Sequence, residues 1–296
     1  MPRFGRVLTA MVTPFDAAGE LNVDAAADLA RWLVAEGNEG LVVSGTTGES
    51  PTLSNDEKLA LLEAVAAAVT VPVVAGTTGT NTRADVALTK EASRLGVAAI
   101  LGVCPYYNRP SQAGIEAHFR AVAEATDLPV VLYDIPVRTG RKIDTATLIR
   151  LANDVPNIAG LKDAAKDPGA TAVVRAHTPE SFEVYSGDDS LTLPLLAIGA
   201  VGAIGVATHW CAPDHVEMFD AWQRDDPAGA RRANERQLES FDFETGDAAP
   251  NPVPAKAMLR TLGHDVGECR LPMGPTPPGL EDTARDVYKR LVAARG

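Results

Sequence analysis

Cysteine is scarce in this chain, with three in 296 residues, at Cys104, Cys211 and Cys269. An odd, widely spaced set with no CxxC pair suggests neither a disulfide framework nor a zinc site. Histidine is hardly commoner, at five. The closest pair, His209 and His215, is spaced so that a helix would not put both on one face, as a metal site would want. Catalysis by a protein-bound metal is therefore not expected. Net positive charge is also missing: the balance is −12, which argues against nucleic acid as a general partner. An anionic substrate would have to be drawn by a local basic group. No apolar stretch is long enough to span a bilayer, and the opening MPRFGRVLTA lacks the apolar core of a secretion signal. A soluble, cytoplasmic protein without a membrane partner is the expectation. No G-x-G-x-x-G stands between a strand and a helix, which disfavours a dinucleotide fold.

What the chain does have is 46% hydrophobic residues, ample for a large core, arranged in a regular alternation. Short apolar runs at 7–12, 40–44, 71–75, 98–103, 129–133, 157–162, 182–186 and 202–206 read as strands. Amphipathic patterns at 23–36, 55–69, 82–95, 111–125, 144–153, 168–177, 191–198 and 213–224 read as the helices between and after them. Such alternation demands a parallel sheet, because each helix carries the chain back to the same end. Runs such as VPVVAG and LPVVLYD lack period-two patterning, as expected of strands covered on both faces. Eight units in about 225 residues fit a closed (β/α)8 barrel better than an open sheet. Asp24 and Asn55 stand where N-caps are expected, and Gly37 and Gly96 where helices stop. Beyond residue 225 the alternation gives way to helical patterns at 227–241, 254–262 and 281–293. The expected organisation is a TIM barrel over 1–225 and a C-terminal helical extension over 226–296.

In such a barrel the chemistry gathers where strands end and loops begin. The sixth run closes on Lys162 and the fifth on Tyr133. A lysine in an apolar interior loses much of its preference for the charged form and becomes a nucleophilic amine, and a nearby phenol can move its proton. Arg138, Arg141 and Lys142 form a concentrated basic stretch after Tyr133, a candidate for drawing an anion.

The strand ends carry GTTGES (45–50), PYYN (105–108), YDIPVRTG (133–140), GLKDA (160–164) and SGDD (186–189), in that order. This set resembles the dihydrodipicolinate synthase and N-acetylneuraminate lyase family, Schiff-base aldolase-type enzymes on a (β/α)8 barrel. The extension adds PNPVPAK (250–256) and RLPM (270–273), typical of the synthase branch, and Arg138 within YDIPVRTG points the same way. The resemblance implies condensation of pyruvate with aspartate 4-semialdehyde to 4-hydroxy-tetrahydrodipicolinate, on the route through diaminopimelate to lysine. It further implies no cofactor beyond the covalent imine between Lys162 and pyruvate. Tyr133 would be the acid/base, linked through Thr46 to Tyr107, which in the family reaches across from a neighbouring subunit. Thr47 would grip the pyruvate carboxylate and Arg138 the acceptor's, while Gly187 and the Ile204 carbonyl would border the site. A homotetramer built as two dimers is implied as well.

Cys104, Val137 and Gly205 depart from the family pattern near the pocket, where the aldehyde acceptor would bind. Other pyruvate-dependent aldolases of the family, or a non-catalytic keto-acid-binding relative, are the alternatives. Where lysine-inhibited relatives carry histidines, this chain has Asn55 and Lys58, and a cation at Lys58 would oppose a dibasic effector.

Overall fold

Runs too apolar for water on either face can persist only as strands covered on both sides, and here they close on themselves. The computed structural model describes residues 2–295. Among these, β1 (Val7–Ala10), β2 (Gly40–Val43), β3 (Val73–Gly76), β4 (Ala99–Val103), β5 (Val130–Asp134), β6 (Ile158–Asp163), β7 (Glu183–Ser186) and β8 (Gly202–Gly205) pair in sequence order. All pairings are parallel, and β8 returns to β1. The expected (β/α)8 barrel is the observed fold.

Helices α1 (Val23–Ala35), α2 (Asn55–Ala68), α3 (Thr82–Ala92) and α4 (Gln112–Ala123) cover the first half of the barrel. A single-turn α5 (Pro136–Thr139) then interrupts the loop after β5. Helices α6 (Thr145–Asp154), α7 (Pro168–His177), α8 (Thr192–Leu196) and α9 (Thr208–Gln223) complete the ring. Alternate residues of each strand serve two cores. Leu8, Val42, Val74, Leu101, Val131, Tyr133, Tyr185 and Ile204 fill the barrel, while Leu41, Val73, Ile100, Leu132 and Leu161 pack beneath the helices. Each such aliphatic side chain contributes roughly 1.5–3 kcal/mol by leaving water. The same parity places Lys162: Leu161 faces the helices, so its neighbour must face the barrel interior.

Some local expectations need correction. The caps of α1 and α2 are Asn22 and Ser54, not Asp24 and Asn55. Ser54 and Glu57 form a reciprocal capping box, which satisfies two amide donors that a lone Asn55 could not. Gly37 and Gly96 do follow their helices at positive φ, 104° and 77°. Helix α9 begins at Thr208, with Pro213 inside it rather than at its start. The segment 227–241 divides into α10 (Pro227–Glu235) and α11 (Leu238–Phe243).

Helix α12 (Val253–Thr261) and α13 (Leu280–Ala294) finish the chain. This extension clamps the loop after β2. Lys256 and Glu49 form an ion pair at 2.8 Å with both side chains buried, and the Arg270 amide donates to the same carboxylate at 2.8 Å. Arg270 also donates to the Thr52 carbonyl at 3.0 Å and to Glu57 at 2.5 Å. Both cations lie over the Phe15 ring, at 4.2 and 4.3 Å. Stripping one partner from so dry a pair would cost about 3–5 kcal/mol, so the β2 loop is held firmly.

Candidate active site

Lys162 and Tyr133 are register partners on β6 and β5, and the Lys162 Nζ lies 4.4 Å from the centre of the Tyr133 ring. Both are buried, at 4% exposure each. Burial pulls the Lys162 pKa down to about 8; the Asp189 carboxylate opposes the fall and Arg138 adds to it. Burial pushes the Tyr133 phenol up to about 12, against the Arg138 charge and a Thr46 hydroxyl that faces it. The resting pair is thus an amine that is easily freed of its proton beside a phenol that keeps one. At pH 7 an amine of pKa ~8 is about 10% neutral, over a hundred times the neutral fraction of a free lysine near ~10.4.

A cavity of ≈ 530 Å³ opens above Lys162. Thr46, Thr47, Tyr133, Arg138, Gly187, Asp188, Asp189 and Glu244 share its wall. A smaller chamber of ≈ 190 Å³ lies on the other side of Thr46, Tyr133 and Arg138, towards Tyr106. The Thr47 hydroxyl accepts from Asn251 Nδ2 at 3.0 Å, and Arg138 Nη2 donates to the Asn251 carbonyl at 3.1 Å. Asn251 therefore joins the two side chains expected to hold carboxylates. Gly187 is required by contact: a Cβ there would fall 2.9 Å from Lys162 Cγ and 3.0 Å from Cε.

Not every expected residue comes to the site. Tyr107 is 92% exposed at φ 69° and lines neither cavity. Ile204 belongs to the packed barrel interior and does not line the cavity either. Of the basic stretch, only Arg138 faces the cavity. Arg141 donates to the Pro110 carbonyl at 3.0 Å and Lys142 lies 3.8 Å from Asp134, so both serve the loop. Cys104 is buried, its thiol pushed up to about 12 by desolvation, which leaves it inert. Val137 is 80% exposed at the cavity mouth. His209 is structural: its Nδ1–H donates to the Val206 carbonyl at 2.7 Å and Nε2 accepts the Val12 amide at 3.2 Å.

Sequence reasoning missed Asn251, Asp189 and Glu244. The Asp189 Oδ2 accepts the Val206 amide at 2.7 Å, and Glu244 accepts the Ala207 amide at 3.0 Å. Glu244 comes from the extension, just past the helical pattern expected at 227–241. Gly205, noted as a departure, leaves room for this cluster. A Cβ there would fall 2.2 Å from Asp189 Oδ1.

The chain is similar to known proteins along nearly its whole length. The sequence pattern of the Dihydrodipicolinate synthetase family matches residues 3–292. A 4-hydroxy-tetrahydrodipicolinate synthase of Symbiobacterium thermophilum is 49% identical, over 97% of this chain and 98% of the relative. Among solved structures, a dihydrodipicolinate synthase from Bacillus anthracis superposes with a TM-score of 0.93 at 42% identity, covering 98% of this chain and 99% of that one. The enzyme from Cyanidioschyzon merolae, solved with lysine bound, gives 0.95 at 40% identity and covers 99% of each chain.

Proposed function

The chain belongs to the dihydrodipicolinate synthetase family, and from that premise we propose that it condenses pyruvate with L-aspartate 4-semialdehyde to give 4-hydroxy-tetrahydrodipicolinate. The observation that carries the reading is the buried Lys162 amine, drawn down to about 8, against the Tyr133 phenol. The neutral amine attacks the keto carbon of pyruvate, water leaves, and an imine forms. Protonated imine nitrogen takes up the electrons released when the methyl group loses a proton, giving an enamine. The enamine carbon adds to the aldehyde, and ring closure by the semialdehyde's own amine displaces Lys162. No bound cofactor is needed, because the iminium supplies the electron sink.

Each step moves a proton, and Tyr133 is the group beside Lys162 able to carry it, with Thr46 as its relay. Thr47 grips the pyruvate carboxylate. Arg138 presents a planar fork to the acceptor's carboxylate, which a lysine could not match. Gly187 leaves room for the Lys162 stem. Tyr107 completes the relay from a second copy of the chain, which suits its exposure here, and a homotetramer of two such dimers is the assembly we propose. Ile204 would contribute its backbone carbonyl alone. We take residues 1–225 as the catalytic barrel and 226–296 as the extension that clamps its β2 loop, acting in the cytoplasm. Among the described residues no helix is long and apolar enough to cross a membrane.

The test is an aldehyde panel with saturating pyruvate. Aspartate 4-semialdehyde should be consumed with a kcat/KM at least about a hundredfold above sugar-derived aldehydes or glyoxylate, since lost polar pairing discriminates on that scale. Preference for another aldehyde would move the chain to a different aldolase of the family.

A further inference from the structure

Two carboxyl groups meet at the wall of the Lys162 cavity. The Ala207 amide points at both: its nitrogen lies 3.0 Å from Glu244 Oε2 and 3.4 Å from Asp189 Oδ2. Oxygens that share one N–H must lie side by side. Two full charges so close in a dry wall repel strongly, and a single proton between them turns that repulsion into a hydrogen bond. Asp189 is the better placed to stay ionised. It accepts the Val206 amide as well, and its Oδ1 faces His215 Nε2 at 3.3 Å. His215 Nδ1 lies 3.2 Å from the Cys211 carbonyl. A carbonyl can only accept, so the ring hydrogen sits on Nδ1 and holds the imidazole edge against Asp189. Glu244 has a single amide donor, where Asp189 has two.

We propose that Glu244 is held protonated against Asp189, and that this shared proton sets the charge of the pair beside Lys162, leaving one negative charge on it instead of two. Glu244 is a positioning residue on this account. The inference rests on the imine reading above and adds a control to it. The directions of titration agree, with Glu244 raised well above the carboxylate range by burial and by Asp189, and Asp189 lowered. Other groups lining this cavity are Lys162 on β6, Lys166 beyond it, Tyr133 on β5, Arg138 on α5, Asp188 after β7 and Asp247 in the overhanging segment.

The sign of the consequence is fixed. While the proton is present, Asp189 alone steadies the iminium. When it leaves at alkaline pH, a second anion stands in the wall and repels the carboxylates of both substrates. Imine formation then falls in a range where a lone buried lysine would only gain.

Two measurements test this. Borohydride trapping with pyruvate is followed against pH for the wild type, Glu244→Gln and Glu244→Ala. The amide mimics a neutral carboxyl, so Glu244→Gln should restore about tenfold or more of what Glu244→Ala loses at pH 7, and should lack the alkaline fall. Infrared spectra of the wild type should show a protonated-carboxyl C=O band at pH 7 that fades in parallel with trapping and is absent in Glu244→Gln. No such band, or a Glu244→Gln enzyme as poor as Glu244→Ala, would overturn the inference. So would an alkaline fall common to wild type and Glu244→Gln. If neither variant folds, the wild-type band still decides. A wild type that shows the band but traps no pyruvate would sink the imine reading and leave the shared proton standing.

Discussion

Substituting Gly187 by alanine should disable the enzyme while leaving the fold largely intact. The added Cβ would sit 2.9 Å from Lys162 Cγ, 3.0 Å from its Cε and 3.1 Å from Ala164 Cβ. Carbon contacts are optimal at about 3.5–4.0 Å, so the methyl intrudes by about half an ångström or more on three atoms at once. Lys162 cannot retreat, because its stem is buried and the Tyr133 ring lies beside its amine. Overpacking of this kind costs about 1–3 kcal/mol in stability. The larger effect is on the nucleophile, since a displacement of about an ångström can cost a hundredfold in rate. The expected result is a fall of about a hundredfold or more in the borohydride-trapping rate, with the melting temperature lower by only a few degrees. Gly45→Ala is the control: a Cβ there meets only Val42 Cγ1, at 3.8 Å, and trapping should persist. Wild-type trapping by Gly187→Ala would refute the claim that Lys162 is held in one position.

Other outcomes follow from the same structure. The kcat/KM for pyruvate should rise with pH through about 8, where the Lys162 amine is freed, and removing the Arg138 charge should move that limb upward. His118 and His209 are pushed down to about 4 by burial, below the ~6.5 of an unfolded chain. Unfolded chain therefore binds the extra protons, so stability should be full above pH 6.5 and decline towards pH 4. Each site should contribute about 2 kcal/mol to the loss between pH 7 and pH 5, readable in urea melts; an unchanged midpoint would contradict it. L-lysine should inhibit weakly or not at all, because the Lys58 amine already faces Asp85 and opposes a second cation. Half-maximal inhibition at submillimolar lysine in a steady-state assay would show otherwise.

The barrel was legible because strands covered on both faces leave continuous apolar runs, and helices between them leave amphipathic ones. Lys162 and Tyr133 were legible for the same reason, since a polar residue closing such a run has to face either the cavity or water. What escaped was whatever depended on distant partners. PNPVPAK and RLPM were visible as motifs, but their work in holding Glu49 needs contacts across some 200 residues. Glu244 reads as one more surface acid until folding lays it beside Asp189. Proline suits the first turn of a helix, yet α9 runs through Pro213 from Thr208. Ser54, one residue before the expected Asn55, is the cap of α2, and Ser54 and Glu57 carry the capping-box spacing. Tyr107 is exposed in the single chain, and the role the resemblance implies for it needs a second copy.

The most direct measurement is to incubate the protein with pyruvate and borohydride, digest it, and locate the adduct by mass spectrometry. A single reduced pyruvate adduct on Lys162, absent in Lys162→Ala, is the result this account predicts. An unmodified Lys162, or an adduct on another lysine, would contradict it.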